Sequence, residues 1–337
     1  MPAAVKELAA SGLTSSDSFR AEVVNQCEPV ALRGLCADWP AVKAAKLSWH
    51  ELTSYLLRLD SGAVSQAFLG PASIAGHYFY SEDLSGFNFD RADLSLAEAM
   101  GRMEAAASDP EQSSVYLGSI AADDHVPGFA DQNQLAIAPS TIRPRLWIGN
   151  ASFVSAHYDT FDNIACVVAG RRRFTLYSPE AIGDLYVGPI DFTMAGPPVA
   201  LAAGSTPGDP RYPRFEKIRD CTLTVELEPG DALYLPKLWW HQVEATEPLN
   251  LLVNYWWDAT SSGGDDPYAT MMLAMTAIAE RPVAERSAWQ AFFDHYVFRP
   301  NGHPLAHLPP GKHGILEGSK QNSGKIRALV MHNLRRG

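Results

Sequence analysis

The sequence predicts a mainly β fold with flanking helices, its core a closed or sandwiched antiparallel sheet. Residues 143–257 break into short β-branched and aromatic runs: RLWIGN, NIACVVAG, RRFTLYSP, TLTVELEPG, DALYLP, HQVEAT and LNLLVNYWW. Gly, Pro and Asp-Gly bound these runs, and no long helical period interrupts them. That pattern argues against a doubly wound α/β sheet. The composition is globular, with 46% apolar and 19% charged residues over 337 positions, enough for one large decorated core or two modest domains.

Residues 1–120 form an N-terminal helix and strand region expected to pack on the core. SSDSF (15–19) offers an N-cap before FRAEVVNQ, and PVALRGL (29–35) is an apolar, β-prone run. LSLAEAMGRMEAAA (94–107) has helical spacing, and SVYLGSI (114–120) returns to a strand pattern. The core itself is placed over 121–260. Within it, 191–213 is rich in Pro, Gly and Ala and reads as a long loop across the sheet, of the kind that serves as a lid or substrate segment. Residues 261–300 turn helical again as two amphipathic segments split by Pro282. Their Met-, Phe- and Trp-rich faces suit either packing on the barrel or a homodimer contact. The stretch 301–337 is expected to be a loosely ordered tail.

A formal charge of −11 argues against a general polyanion binder, because such binding relies on Lys and Arg neutralising phosphates. The four cysteines, Cys27, Cys36, Cys166 and Cys221, are widely spaced without a CxxC pair and read as reduced thiols. The first residues lack an apolar signal-peptide core, and no run approaches a membrane span, so a cytoplasmic protein is expected.

The chemistry concentrates in SAHYDTFDNIACVVAGRRRFTLYSP (155–179). Side chains two apart on a strand share a face, so His157 and Asp159 point into the barrel together if this piece is extended. His241, in PGDALYLPKLWWHQVEA (229–245), opens a later strand and supplies a third ligand. Two imidazoles and one carboxylate on one face of an octahedron leave three positions open, as suits non-haem Fe(II) with a bidentate 2-oxo acid and dioxygen. Ten histidines and 38 acidic residues give roughly one His-x-acid by chance, so the pair needs its context. His50, His77, His125 and His295 lie in helical or loop contexts without partners. His303, His307 and His313 sit in the polar tail, where a weak adventitious metal site is the most they would form.

These segments resemble the cupin-like branch of the JmjC oxygenases, which includes the asparaginyl hydroxylase of hypoxia-inducible factor and bacterial proteins of a heat-shock-protein-associated type. PVALRGLCADWPAV (29–42) resembles the family's entry segment, and HYFYSEDLSGFNF (77–89) with SVYLGSI resembles the strands preceding its core. HYDTFDNIACVVAGRRRFTLYSP follows the family's order of HxD, an Asn four residues past the Asp, Gly-x-basic and a later Pro. PGDALYLPKLWWHQVE with LNLLVNYWW matches the distal His and the closing strand.

The resemblance implies a double-stranded β-helix (jelly-roll) core followed by a C-terminal helical hairpin. It implies an Fe(II)- and 2-oxoglutarate-dependent dioxygenase, with dioxygen as second cosubstrate and His157, Asp159 and His241 as iron ligands. Arg172, two residues after Gly170, matches the basic residue that holds the 2-oxoglutarate C5 carboxylate, with Arg171 and Arg173 as neighbours able to substitute. Tyr116 matches a tyrosine on the same carboxylate. Asn163 and Asn254 match two amides of the cosubstrate pocket, and Trp256 its aromatic wall. One position departs: relatives place a Thr three residues before the first ligand, where this chain has Val154. That removes a hydroxyl donor to a charged group, an interaction of roughly 1.5–3 kcal/mol.

The implied reaction is hydroxylation of a C–H bond, most simply of a protein or peptide side chain; a small metabolite or a modified tRNA nucleoside is the alternative. Retention of Asp159 favours hydroxylation over halogenation. Two other classes compete. A zinc or manganese sugar isomerase would add a His or Glu to an HxH, which this chain lacks. A non-catalytic cupin acting as sensor or adaptor would not need Asn163, Arg172 and Asn254 together.

Overall fold

Eight strands in chain order build the core of the computed structural model: β1 (Arg145–Gly149), β2 (Ser152–His157), β3 (Asp162–Ala169), β4 (Arg172–Tyr177), β5 (Leu223–Leu227), β6 (Ala232–Leu235), β7 (Trp240–Ala245) and β8 (Asn250–Trp257). The structure describes residues 3–335 apart from 14, 84, 110, 194–195, 197, 261–263 and 319. The eight strands divide between two facing sheets, ordered β6-β3-β8-β1 and β5-β4-β7-β2, with every pairing antiparallel and with β4 and β5 the one consecutive pair that shares a sheet. This is the jelly roll that the resemblance implied.

Both sheets extend beyond that core. Ser114–Ala121, Val64–Gly70 and Asp90–Ser95 continue the larger sheet past β1, while Val30–Arg33 and Lys6–Ala9 continue it past β6. In the smaller sheet His77–Tyr78 lies beside β2 and Ala3–Ala4 beside β5, both in parallel. His77, expected in a helical or loop context, is therefore a strand residue; the two-residue element is too short to carry a period. Residues 3–9 cover one edge of each sheet, which removes two unpaired edges.

All eight residues of β3 are buried, because both faces of the larger sheet are covered. Ile164, Cys166 and Val168 pack toward the helical side, with Leu52, Leu56, Met100 and Met103. Ala165 and Val167 face the barrel interior, with Phe174, Leu176, Leu233 and Val243. The strand consequently reads as a continuous apolar run instead of alternating. Truncating a fully buried core leucine such as Leu52 or Leu56 to Ala would cost about 2–5 kcal/mol.

The helices start where their caps require. Ser15 caps Ser16–Glu22, Ser48 caps Trp49–Leu57, and Ser95 with Glu98 forms a capping box on Leu96–Ser108. Gly170 turns β3 into β4 at φ +73°, and a Cβ there would stand 2.1 Å from the Asn250 Oδ1, so only glycine fits.

Residues 260–337 form a separate compact unit from 1–259. It contains the helices Pro267–Ile278 and Val283–Phe293, separated at Pro282, and neither buries a side chain. The expected loose tail instead carries the helix Lys320–Leu334. Ile326, Leu329, Val330 and Leu334 recur there at helical spacing and no proline interrupts them, a period that outweighs the Gly and Pro content before it. Positions 319 and 336–337 of that tail, and 261–263 of the preceding segment, lie outside the described residues. Among the described residues no helix is long and apolar enough to cross a membrane.

Candidate metal centre

β2 and β7 pair so that His157 stands opposite His241. The two ring centroids are 4.3 Å apart. Asp159 follows two residues after His157, just beyond the end of β2, and its Oδ2 lies 3.7 Å from the His241 Nε2. One ligand atom from each of the three side chains falls within 4.8 Å of the others, and among the described residues they are the one such group of His, Cys, Asp or Glu.

Both rings are oriented by the same device. The Nδ1 of His157 meets the Ser155 carbonyl at 2.8 Å, and the Nδ1 of His241 meets the Trp239 carbonyl at 3.0 Å. A carbonyl only accepts, so each Nδ1 carries the proton and each Nε2 presents a lone pair toward Asp159. Burial first, then the neighbouring His157, holds His241 neutral, pushed down to about 4. The Leu238 N–H donates to the Asp159 carbonyl at 2.8 Å, and the Trp256 indole N–H donates to the Asp159 Oδ2 at 3.2 Å.

The strand β2 is bulged between its ligand and Val154. His241 pairs with His157 and Val243 with Val154, so three steps along β2 match two along β7. Without the bulge Ser155 would share the face of His157. With it, Val154 packs on the barrel interior beside Tyr116, while the Ser155 hydroxyl turns to His77 at 3.5 Å. The hydroxyl expected at position 154 in relatives is not replaced by its neighbour.

Arg172, Phe174 and Leu176 point inward from β4, and Arg172 is only 2% exposed. Its Nε and Nη2 have no hydrogen-bond partner among the described residues. Burial pulls its pKa below the usual guanidinium range, with the Tyr116 hydroxyl beside it opposing that shift; burial likewise raises Tyr116. Arg171 and Arg173 are surface residues paired with Glu228 and with Glu226 and Glu244, so neither can take the place of Arg172. A buried cation with two unused N–H groups beside a phenol has the chemistry to seat a carboxylate.

Asn254 joins the remaining positions. Its amide donates to the Asn163 Oδ1 at 3.3 Å and accepts the Trp147 indole N–H at 2.8 Å. Trp147 packs edge-on against Trp256 at 5.7 Å and tilted against Tyr116 at 6.3 Å, closing the wall between metal ligands and Arg172. Sequence reasoning missed Trp147, although Arg145, Trp147 and Gly149 alternate with the buried Leu146 and Ile148 of RLWIGN. The loop after β4 returns to the site: Val199 bridges His157, and Val187 bridges Ala200. Positions 194, 195 and 197 of the expected 191–213 loop lie outside the described residues. Among the described residues the tail histidines join no group of three such ligands. The rings of His303 and His313 stack, and their ring nitrogens face the carbonyls of Leu316 and Leu308.

Comparison with known proteins agrees with this architecture. Residues 16–263 match the family described as the cupin-like domain. The lysine-specific demethylase JMJ31 of Arabidopsis thaliana is 33% identical over 153 residues, 45% of this chain and 26% of that protein. The Jumonji C domain-containing protein 5 of Drosophila melanogaster is 26% identical over 254 residues, 72% of this chain and 58% of that one. The tRNA wybutosine-synthesizing protein 5 of Danio rerio is 30% identical over 211 residues, 60% and 55% respectively. In each case the match spans less than two thirds of the relative.

Proposed function

The chain belongs to the cupin-like domain family, and from that premise we propose that it is an Fe(II)- and 2-oxoglutarate-dependent dioxygenase that hydroxylates a C–H bond. The observation that carries this reading is Arg172, a buried guanidinium with two N–H groups unpartnered among the described residues, on the strand that pairs with β7 and its His241. A sugar isomerase or a plain binding cupin has no use for a dicarboxylate seat of this kind.

His157, Asp159 and His241 fit Fe(II): two imidazole nitrogens and one carboxylate oxygen would leave open sites for a chelating acid and dioxygen. When bound, iron would let dioxygen act as the four-electron oxidant, two electrons coming from oxidative decarboxylation of 2-oxoglutarate to succinate and carbon dioxide and two from the substrate C–H bond. The protein's part is placement. Arg172 and Tyr116 hold the far carboxylate, Asn163 and Asn254 line the cosubstrate, and Trp256 fixes the Asp159 carboxylate. Trp147 and Trp256 keep water from the wall they form.

The substrate we favour is a protein or peptide side chain. The resemblance to an asparaginyl hydroxylase supports it, as does a relative whose name makes it a lysine-specific demethylase. The relative named for tRNA wybutosine synthesis favours a modified nucleoside instead, but the net charge of −11 weighs against a polyanion.

We also propose that the C-terminal unit closes against a second copy of the chain. Met271, Met272, Leu273, Met275, Trp289 and Phe292 are each 39–58% exposed, and helices without a buried side chain lack a core of their own. Obligate dimer interfaces bury about 2,000 Å² or more and are rich in such residues.

Anaerobic titration of the metal-free protein with Fe(II) and 2-oxoglutarate tests the activity class. The expected result is a weak visible charge-transfer band, absent in His157→Ala and weakened in Arg172→Ala. Folded, metal-bound protein without that band would point to a non-catalytic cupin.

A further inference from the structure

We propose that Arg145 is a specificity residue that receives a carboxylate side chain of the peptide substrate at the mouth of the barrel. The inference rests on the oxygenase reading and adds the chemistry of what is brought to it.

The registers place Arg145 at the metal end. β8 runs from Asn254, opposite Arg145 on β1, to Trp256, whose indole holds the ligand Asp159. Arg145 alternates with Leu146 and so shares the inner face of β1 with Trp147, which bonds Asn254. The residue is partly buried, open toward solvent at the start of its strand.

Its guanidinium is held in one place. The Nε donates to the Ser119 Oγ at 2.5 Å and the Nη2 to the Ser119 carbonyl at 2.6 Å. Ser119 adopts φ 57° where the strand Ser114–Ala121 slips register against β1. A non-glycine residue in the left-handed region costs energy, and here it aims a hydroxyl and a carbonyl at one arginine. Both acceptors are neutral. Among the described residues no ion pair involves Arg145, whereas Arg143, two positions earlier, is paired with Asp123 at 3.2 Å. Nearby acids already have partners: Asp162 accepts from the Tyr234 hydroxyl and the Ala259 N–H and lies 3.5 Å from the Lys237 ammonium, which also pairs with Asp258. In a chain with 38 acidic residues and 27 basic ones, a fixed, partly buried and uncompensated arginine is selective for an incoming anion. One such residue suits a single carboxylate; a nucleic acid requires a stripe of cations.

The test uses the full chain and two labelled, length-matched random peptide pools, one containing Asp and Glu, the other Asn and Gln in their place. A labelled single-stranded RNA is the third probe. Anisotropy reads binding, and the anaerobic Fe(II)–2-oxoglutarate band is recorded on the same samples. The acidic pool should bind at least about tenfold tighter than the neutral pool. Arg145→Gln should abolish that preference, Arg145→Lys should keep part of it, and both should leave the band intact. An unchanged preference in Arg145→Gln, no preference in the unaltered protein, or Arg145-dependent binding of the RNA alone would each overturn the proposal. Absence of the band with Arg145-dependent peptide binding intact would defeat the oxygenase reading and not this one.

Discussion

Trp256 donates its indole N–H to the Oδ2 of Asp159 at 3.2 Å, so the carboxylate of the candidate metal centre is held from the opposite sheet. An oriented carboxylate reaches the metal without first losing rotamer freedom. Trp256→Phe keeps the ring and removes the donor. We expect metal affinity to fall about tenfold, within the 10–100-fold range for such partners, as read by titration with Co(II) or Fe(II) under anaerobic conditions.

Arg172 is a liability to the empty protein and an asset to the loaded one. Replacing it by Met removes a buried cation with two unsatisfied N–H groups, so thermal unfolding of the metal-free protein should be unchanged or raised, by up to about 1–3 kcal/mol. The same substitution should abolish the further stabilisation that 2-oxoglutarate gives the unaltered protein. A melting temperature that 2-oxoglutarate still raises in the variant would refute the carboxylate seat.

Val154 offers the opposite experiment. Because the β2 bulge turns it inward beside Tyr116, Val154→Thr should place a hydroxyl near the Arg172 seat at little steric cost. A tightening of 2-oxoglutarate binding by about tenfold is expected in anaerobic calorimetry, a hydrogen bond to a charged group being worth roughly 1.5–3 kcal/mol when fully desolvated. No change would mean that the hydroxyl cannot reach.

The C-terminal unit predicts an oligomer. Light scattering on the full chain should give twice the monomer mass, and Trp289→Glu with Phe292→Glu should return it to one, without altering the Fe(II)–2-oxoglutarate band. A monomeric parent would leave those faces to another partner.

Much of the site was legible because its chemistry is local. His157 and Asp159 are two apart, and Gly170, Arg171 and Arg172 make one tight turn, so short-range spacing keeps each set together even though Asp159 lies past the end of β2. What escaped depends on partners far along the chain. The β2 bulge exists only as a mismatch with β7, and Trp147 acquires its role from Asn254, 107 positions later. The strands Val64–Gly70 and Asp90–Ser95 went unread because an edge pair with one exposed face shows little periodicity. The helix Lys320–Leu334 was hidden by the Gly- and Pro-rich residues that precede it.

The short segment that covers both sheets also dictates an order of assembly. Ala3 pairs with Leu223, and Lys6 with Val30, so one partner is available almost at once and the other only after roughly two hundred further residues have been made. During synthesis Ala3 and Ala4 must wait beside a half-built barrel, with the edge they will cover on β5 not yet in existence. Closure of the smaller sheet is then a late step of folding, dependent on the longest loop in the core, and a strand made some two hundred residues ahead of its partner is among the last to find its place.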